Sequence, residues 1–281
     1  MAEWLNVPPW KGGILNIRIE GSNPSPSARI QEAENESFLP LLLWRLTVSY
    51  FRPVPTTGLL PKVVAFDLDK TLIGGDATIM WTEYLYEKGV VTDPIYKAIN
   101  AEMVQQYREG TLDIATWLKQ AVPAYASLEA PARNQLVDQF INEKIAPLVY
   151  QEGLHRIQAA KSAGLLTVII SASNTFFVQP LATKLFGVDI ALGCNLVMQD
   201  GRVTPELDGV PTFKEGKITR LRDTLYEHSL SLEETVFFTD SRNDLPLALA
   251  VGDCETVNPD PTLKKTALEK GWRIHAWTTN C

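Results

Sequence analysis

Two aspartates set two residues apart, Asp67 and Asp69, close the short apolar run Val63-Val64-Ala65-Phe66. A run of that length reads as a buried parallel strand. Strand alternation sends both carboxylates the same way, off the carboxyl end, which is the edge where open α/β sheets bind ligands. Two carboxylates there repel each other unless a cation or a shared proton compensates. The chemistry this permits is a carboxylate nucleophile beside Mg²⁺, with an acid/base neighbour. The plainer alternative is a solvated acidic turn. A second acidic pair, Asp240 and Asp244, follows the apolar run Thr235-Val236-Phe237-Phe238-Thr239. A repeat of acids at a strand end suits Mg²⁺ better than a turn does.

Two more segments lie between these pairs. Leu165 to Ile170 is another buried-strand pattern, and it ends in Ser171-Ala172-Ser173-Asn174. A hydroxyl at that place either donates to a phosphate oxygen or caps the next helix. Lys214-Glu215-Gly216-Lys217 then opens the helical pattern Ile218, Leu221, Leu225. A lysine at this helix start can neutralise a phosphoryl group, and both Lys214 and Lys217 stand there.

Together these segments resemble the DxDxT, Ser/Thr, Lys and DxxxD motifs of the haloacid dehalogenase superfamily of phosphohydrolases. The group they most resemble is subfamily IB, the phosphoserine-phosphatase-like enzymes. Phe66 to Leu72, Ser171 to Asn174, Gly216-Lys217-Ile218, Asp240 to Leu247 and the tail from Val257 to Trp272 carry the likeness. The resemblance implies a Mg²⁺-dependent hydrolase of a small-molecule phosphate monoester. Asp67 would attack phosphorus and become an aspartyl phosphate, and Asp69 would serve as acid and then base. Thr71 would support the loop. Ser171 would bond a phosphoryl oxygen and Lys217, favoured over Lys214 for its place at the helix start, would balance charge. Mg²⁺ would sit on Asp67, Asp240 and the main-chain carbonyl of Asp69, with Asp244 behind it or on the lysine.

The same resemblance makes Asp76 and Asn174 the substrate-binding candidates. Gapless matching puts Asp76 where those enzymes bind the substrate amine with a glutamate. It puts Ala121 where they grip the substrate carboxylate with an arginine, with Lys119 nearby. An amine-bearing ester without a carboxylate, such as histidinol phosphate, then fits better than phosphoserine. A phosphoserine phosphatase, a phosphotransferase and a non-catalytic phosphate-binding regulatory module are the other readings.

The elements needed to position these residues form an α/β, Rossmann-like parallel-sheet core. Between the first two motifs, Trp81, Tyr84, Leu85, then Met103, Val104, Tyr107, then Leu136, Val137, Phe140, Ile141 recur at helical spacing. They predict a helical cap over 76–150, inserted into a core of 61–75 and 151–281, with its aromatic residues mostly in the cap's own packing. Gly193 to Pro205, centred on Asp200-Gly201, predicts a small β-hairpin excursion. Residues 1–60, with the breaker run Ser22 to Ser27, read as an irregular extension, and residues 1–55 as dispensable for catalysis. The apolar stretch Phe38 to Phe51 contains Arg45 and is shorter than the ~20 residues of a spanning helix. Stable membrane insertion is therefore not expected.

Composition narrows the function classes. Of 281 residues, 26 are Lys or Arg and 33 are Asp or Glu, a formal charge of −7. That argues against a nucleic-acid partner, which needs clustered positive charge. The 45% hydrophobic content is enough for a sizeable core. Three scattered cysteines and three isolated histidines give neither a disulfide framework nor a zinc site, and point to the cytoplasm. The oligomeric state is not legible.

Overall fold

The structure is a computed structural model that describes residues 58–279 and, as backbone, the strands β1 (Glu3–Asn6) and β2 (Asn16–Ile19). The chain divides into two units, Met1–Leu42 and Leu43–Cys281. In the first, β1 and β2 pair antiparallel, Glu3 opposite Ile19 and Asn6 opposite Asn16. Apart from this strand pair, the extension expected to be irregular over residues 1–60 lies outside the described residues up to residue 57. The alternation Asn16-Ile17-Arg18-Ile19 is a period-two pattern hidden by the breaker-rich composition around it. The Ser22–Ser27 run and the Phe38–Phe51 stretch lie outside the described residues.

The second unit is built on a six-stranded, all-parallel sheet. Its strands are β3 (Val63–Phe66), β4 (Leu166–Asn174), β5 (Ile190–Cys194), β8 (Thr235–Thr239), β9 (Asp253–Val257) and β10 (Arg273–His275). Their order is β10-β9-β8-β3-β4-β5, which puts the first strand in the middle. Side chains of β3 divide by period two. Val64 and Phe66 enter one apolar cluster with Ile169, Val236 and Phe238, while Val63 and Ala65 enter a second with Val168, Ile170 and Phe237. Both faces of these strands are buried, and that is why their sequences are continuous apolar runs. Phe66 and Phe238 stack across the strand pair at 4.8 Å between ring centroids.

Between β3 and β4 come the helices α1 (Ala77–Glu87), α2 (Ile95–Glu109), α3 (Ile114–Ala121) and α4 (Ala130–Phe140). Asp76 caps α1 and Asp113 caps α3, each carboxylate accepting first-turn N–H groups, as short acids before apolar runs do. The core helices are α5 (Gln151–Ser162), α6 (Thr175–Leu181), α7 (Glu215–Glu227), α8 (Leu245–Ala250) and α9 (Pro261–Lys270).

The hairpin forms between β6 (Leu196–Gln199) and β7 (Arg202–Leu207). Its turn residues, Asp200 and Gly201, both have positive φ (50° and 76°), the two-residue turn that suits the strand twist. It begins later than the sequence pattern suggested. Gly193 and Cys194 end the edge strand β5, and the Cys194 thiol is buried against the Thr212 hydroxyl.

One glycine fixes where α7 starts. A Cβ on Gly216 would stand 2.0 Å from the carbonyl oxygen of Pro211, a contact that only backbone movement relieves. Gly216→Ala is therefore expected to destabilise the fold by roughly 1–3 kcal/mol, the usual range for overpacking. Urea unfolding checks this; an unchanged midpoint would contradict the close approach.

Candidate active site

Strand register gathers the site. Phe66 lies opposite Ile169 on one side and Phe238 on the other. Asp67 directly follows Phe66, and Ser171 and Asp240 each stand two residues beyond its partners. One edge of the sheet therefore carries all three. The ladder continues one step further, with the Asp67 N–H donating to the Phe238 carbonyl at 2.8 Å.

Lys217, on the first turn of α7, is 1% exposed and reaches this edge from below. Its ammonium donates to Asp67 Oδ1 at 2.7 Å and to Asp244 Oδ2 at 2.8 Å. Asp244 Oδ2 also accepts the Thr239 hydroxyl at 2.7 Å. Burial opposes the ammonium charge, but Asp244 and Asp67 outweigh it and push the lysine's pKa upward. Burial lifts Asp67 to about 7 against the pull of Lys217, with Asp244 and Asp69 adding to the rise. Asp240 is raised well above the usual carboxylate range by burial and by Asp67. The Thr71 hydroxyl lies 3.5 Å from Asp240 Oδ1.

Asp69 is held by three donors. Its Oδ1 accepts the Ala77 N–H at 2.6 Å, and its Oδ2 accepts Ser171 Oγ at 3.1 Å and Ser173 Oγ at 2.9 Å. Burial and the neighbouring Asp76 lift Asp69 to about 6 in spite of these bonds. Ser171 is fully buried, whereas Ser173 lines the cleft and shares a hydrogen bond with Thr78 at 2.8 Å. Ser173 was readable in principle, because strand alternation pairs it with Ser171.

The cleft encloses about 510 Å³, its open mouth included, and the cap supplies much of its wall. Met103, Tyr107, Leu112, Ile114 and Trp117 line it opposite Asp67 and Asp69, with Phe213 from the core. Tyr107 and Trp117 thus reach the site, where helical spacing alone read the cap aromatics mainly as packing. Burial and the nearby Asp244, Asp240 and Asp67 raise the Tyr107 phenol well above its ordinary pKa. Lys70 also lines the cleft; its ammonium lies 3.4 Å from Asp76 Oδ2 and 5.6 Å from the Tyr107 ring centre.

Four residues weighed in the sequence do not line the cleft. Asn174 is buried, and its amide donates to the Tyr125 hydroxyl at 3.0 Å; it does not line the cleft. Lys214 turns away from the carboxylates and donates to the Gly110 carbonyl at 2.8 Å, which leaves the carboxylate contacts to Lys217. Ala121 is buried and Lys119 exposed, and neither lines the cleft.

A parallel sheet that delivers acid pairs from two adjacent strand ends, a buried lysine and a helical layer above them define a capped α/β hydrolase core. The chain belongs to the haloacid dehalogenase-like hydrolase family, whose model matches residues 64–249. It is 37% identical over 217 residues to the histidinol-phosphatase of Neisseria meningitidis serogroup C (strain 8013), covering 76% of this chain and 97% of that one. A protein of unknown function from Bordetella pertussis Tohama I has a similar crystal structure, with a TM-score of 0.71 and 28% identity, covering 77% of this chain and 98% of that one. The fold also matches a phosphoserine phosphatase solved as an analogue of its phospho-aspartyl intermediate, at a TM-score of 0.57 and 20% identity, covering 77% of this chain and 93% of that one.

The buried lysine should dominate local stability. Removing one partner of a buried ion pair typically costs about 3–5 kcal/mol, because it strands the other charge. Lys217→Met is expected to lose about that much in urea unfolding, and Lys217→Met/Asp244→Asn to recover part of it. A double variant no more stable than the single one would speak against stranded charge as the cause.

Proposed function

We propose that the protein is a Mg²⁺-dependent phosphomonoester hydrolase that works through an aspartyl phosphate on Asp67. The observation that carries this reading is the state of Asp67. One of its oxygens is fixed by Lys217 at 2.7 Å, and the other has no protein partner among the described residues.

The residues fit a divalent ion. Asp67, Asp69, Asp240 and Asp244 bring four carboxyl groups to a site where Lys217 and Lys70 bring two ammonium groups. Among the described residues no three Asp, Glu, His or Cys side chains cluster as a metal centre. Asp67, Asp240 and the main-chain carbonyl of Asp69 would instead make a set of hard oxygen donors, the kind Mg²⁺ takes. The bound ion supplies positive charge against the phosphoryl oxygens.

Asp67 attacks phosphorus in line, and the bond to the leaving alcohol breaks. Asp69, whose pKa of about 6 leaves a share of it protonated near neutrality, gives its proton to the departing oxygen. It then takes a proton from water as that water attacks the aspartyl phosphate, releasing inorganic phosphate and restoring Asp67. Ser171 turns its hydroxyl from Asp69 to a phosphoryl oxygen, and Lys217 holds Asp67 in line.

The preferred substrate is a small amino-alcohol phosphate, with histidinol phosphate the leading case. The 37% identity to a protein named histidinol-phosphatase supports this. So does Asp76 in the cleft wall, with no cation from α3 to take a substrate carboxylate. The Lys70–Asp76 pair is partly exposed and worth at most about 1 kcal/mol, so an ammonium group can replace the lysine. A phosphoserine phosphatase is the second reading, since Lys70 would be the group to meet that substrate's carboxylate.

A phosphate-ester panel with Mg²⁺ tests the reaction. Asp67→Asn and excess chelator should each abolish turnover, and full activity in either sinks the mechanism. Asp69→Asn should cost roughly 10²–10⁴-fold on alkyl phosphates and much less on nitrophenyl phosphate, whose leaving group needs no proton. Equal losses would count against the acid role. For specificity, Asp76→Asn keeps the cap on α1 and removes the charge. It should lower the preference for histidinol phosphate over phosphoserine, and an unmoved ratio would remove Asp76 from substrate recognition.

A further inference from the structure

Lys70 stands where a glycine would sit without strain. Its φ is 62°, in a backbone region that residues with a side chain seldom adopt. It lies between Asp69 and Thr71, inside the loop that carries the reactive acids. Strain held at such a place points to a use for the side chain. Pairing with Asp76 is a weak one. The ammonium is 3.4 Å from Asp76 Oδ2 and the lysine side chain is 48% exposed, and pairs of this kind contribute little. The two lysines of the site also face different ways. Lys217 is buried, bonded to Asp67 and Asp244, and does not line the cleft. Lys70 does line it, with Asp67, Asp69 and Ser173, and among the described residues of the cleft wall it is the one cation. Its ammonium stands 5.6 Å from the centre of the Tyr107 ring, which lines the same cleft. Burial opposes its charge, but Asp76, Asp240 and Asp69 more than offset that. An anion that enters the cleft toward Asp67 meets Lys70 first, while Lys217 stays behind the carboxylate it holds.

We propose that Lys70 is a catalytic residue whose ammonium donates to a phosphoryl oxygen of the substrate as Asp67 attacks. The proposal rests on the reading of the site as a phosphomonoesterase. A dianion approaching Asp67 is repelled by the surrounding acids, and an ammonium on the same wall offsets this through a charge-assisted hydrogen bond. Lys217 is already engaged by Asp67 and Asp244. Lys70 is held only by the loose Asp76 pair, and its flexible four-carbon stem lets the head swing into the cleft at little cost. Asp76 is then left for the substrate's alcohol, and Lys70 serves the phosphoryl group that every ester shares.

Ethyl phosphate and nitrophenyl phosphate test this, because their alcohols carry no charge and offer Asp76 nothing. Lys70→Met removes the ammonium, and Lys70→Gly also relieves the backbone. Each variant should lose about 10–100-fold in kcat/KM on both esters, the span of a hydrogen bond to a charged group, and Lys70→Arg should keep most of the activity. The urea midpoint of Lys70→Gly should not fall, since glycine suits the positive φ. Wild-type kcat/KM in Lys70→Met on these esters overturns the proposal and leaves the phosphatase reading standing. A lower midpoint in Lys70→Gly makes Lys70 a structural residue and overturns it as well. If the wild type hydrolyses neither these esters nor any other, the phosphatase reading fails, and calorimetric titration with inorganic phosphate in the presence of Mg²⁺ decides the role of Lys70. Lys70→Met should then bind phosphate about tenfold more weakly than the wild type. Equal affinities, or no binding by the wild type, overturn the proposal.

Discussion

A single buried ammonium group organises the reactive edge of the sheet. Lys217 lies between Asp67, which follows β3, and Asp244, which follows β8, and the Thr239 hydroxyl donates to the same Asp244 oxygen as the lysine. Taking a lysine out of water is costly unless its charge is matched and its donors are used. Here two carboxylates match it. Their own burial is costly in turn, so the three groups stand or fall together. The local geometry follows from this. Strands β3 and β8 must end in register, and α7 must begin where its first turn can deliver a lysine under them. Gly216 permits that start, because a side chain there would meet the Pro211 carbonyl.

The same edge carries more negative charge than Lys217 can balance. Asp240 is pushed up by burial and by Asp67, and Asp69 by burial and by Asp76. A protein concerned only with stability would not hold four carboxylates at two strand ends. On the proposed function, that surplus would draw in a divalent ion, whose charge would offset the repulsion between a dianion and a carboxylate. Burial and Asp76 raise the proton affinity of Asp69, as the proposed general acid would need. The features that weaken the site as a structure are the ones that would suit it to the proposed phosphoryl transfer.

Much of this was legible in the sequence, for identifiable reasons. Strands buried on both faces read as short apolar runs, and polar residues straight after them must fall on one edge. Asp67, Asp69, Ser171 and Asp240 were therefore readable from local pattern. The choice between Lys214 and Lys217 was harder, since both border the same helix start. One turn decides it, as Lys217 faces the sheet while Lys214 precedes the helix with a positive φ of 49°. The cap's contribution was not legible. Whether Tyr107 or Trp117 packs inside the cap or lines the cleft depends on how the cap helices meet the core, and helical spacing does not encode that contact. Asn174 shows the converse, a polar residue beside the motif whose amide is taken up by Tyr125.

How the cap meets the core gives Lys214 its part. The last carbonyls of a helix have no partners within it. At the end of α2, two of the main-chain carbonyls are taken by core side chains: Asn243 donates to Tyr107 O at 2.9 Å, and Lys214 donates to Gly110 O at 2.8 Å. Asn243 lies between Asp240 and Asp244, and Lys214 lies three residues before Lys217. The loops that carry the reactive groups therefore also hold the cap. Gly110 ends α2 with a φ of 75°, and a Cβ there would stand 3.3 Å from the Arg242 guanidinium. Two hydrogen bonds of this kind are worth about 1 kcal/mol each in net terms, or somewhat more for the charged lysine. They add to the Thr78–Ser173 and Asn174–Tyr125 hydrogen bonds and to the packing of Trp81 on Phe176 and Phe177, which also join cap and core. A cap seated in this way would exclude water around Asp67. The two loops that position the lysine and the acids therefore also help to seat the cap, and the seat of the cap is coupled to the arrangement of those groups.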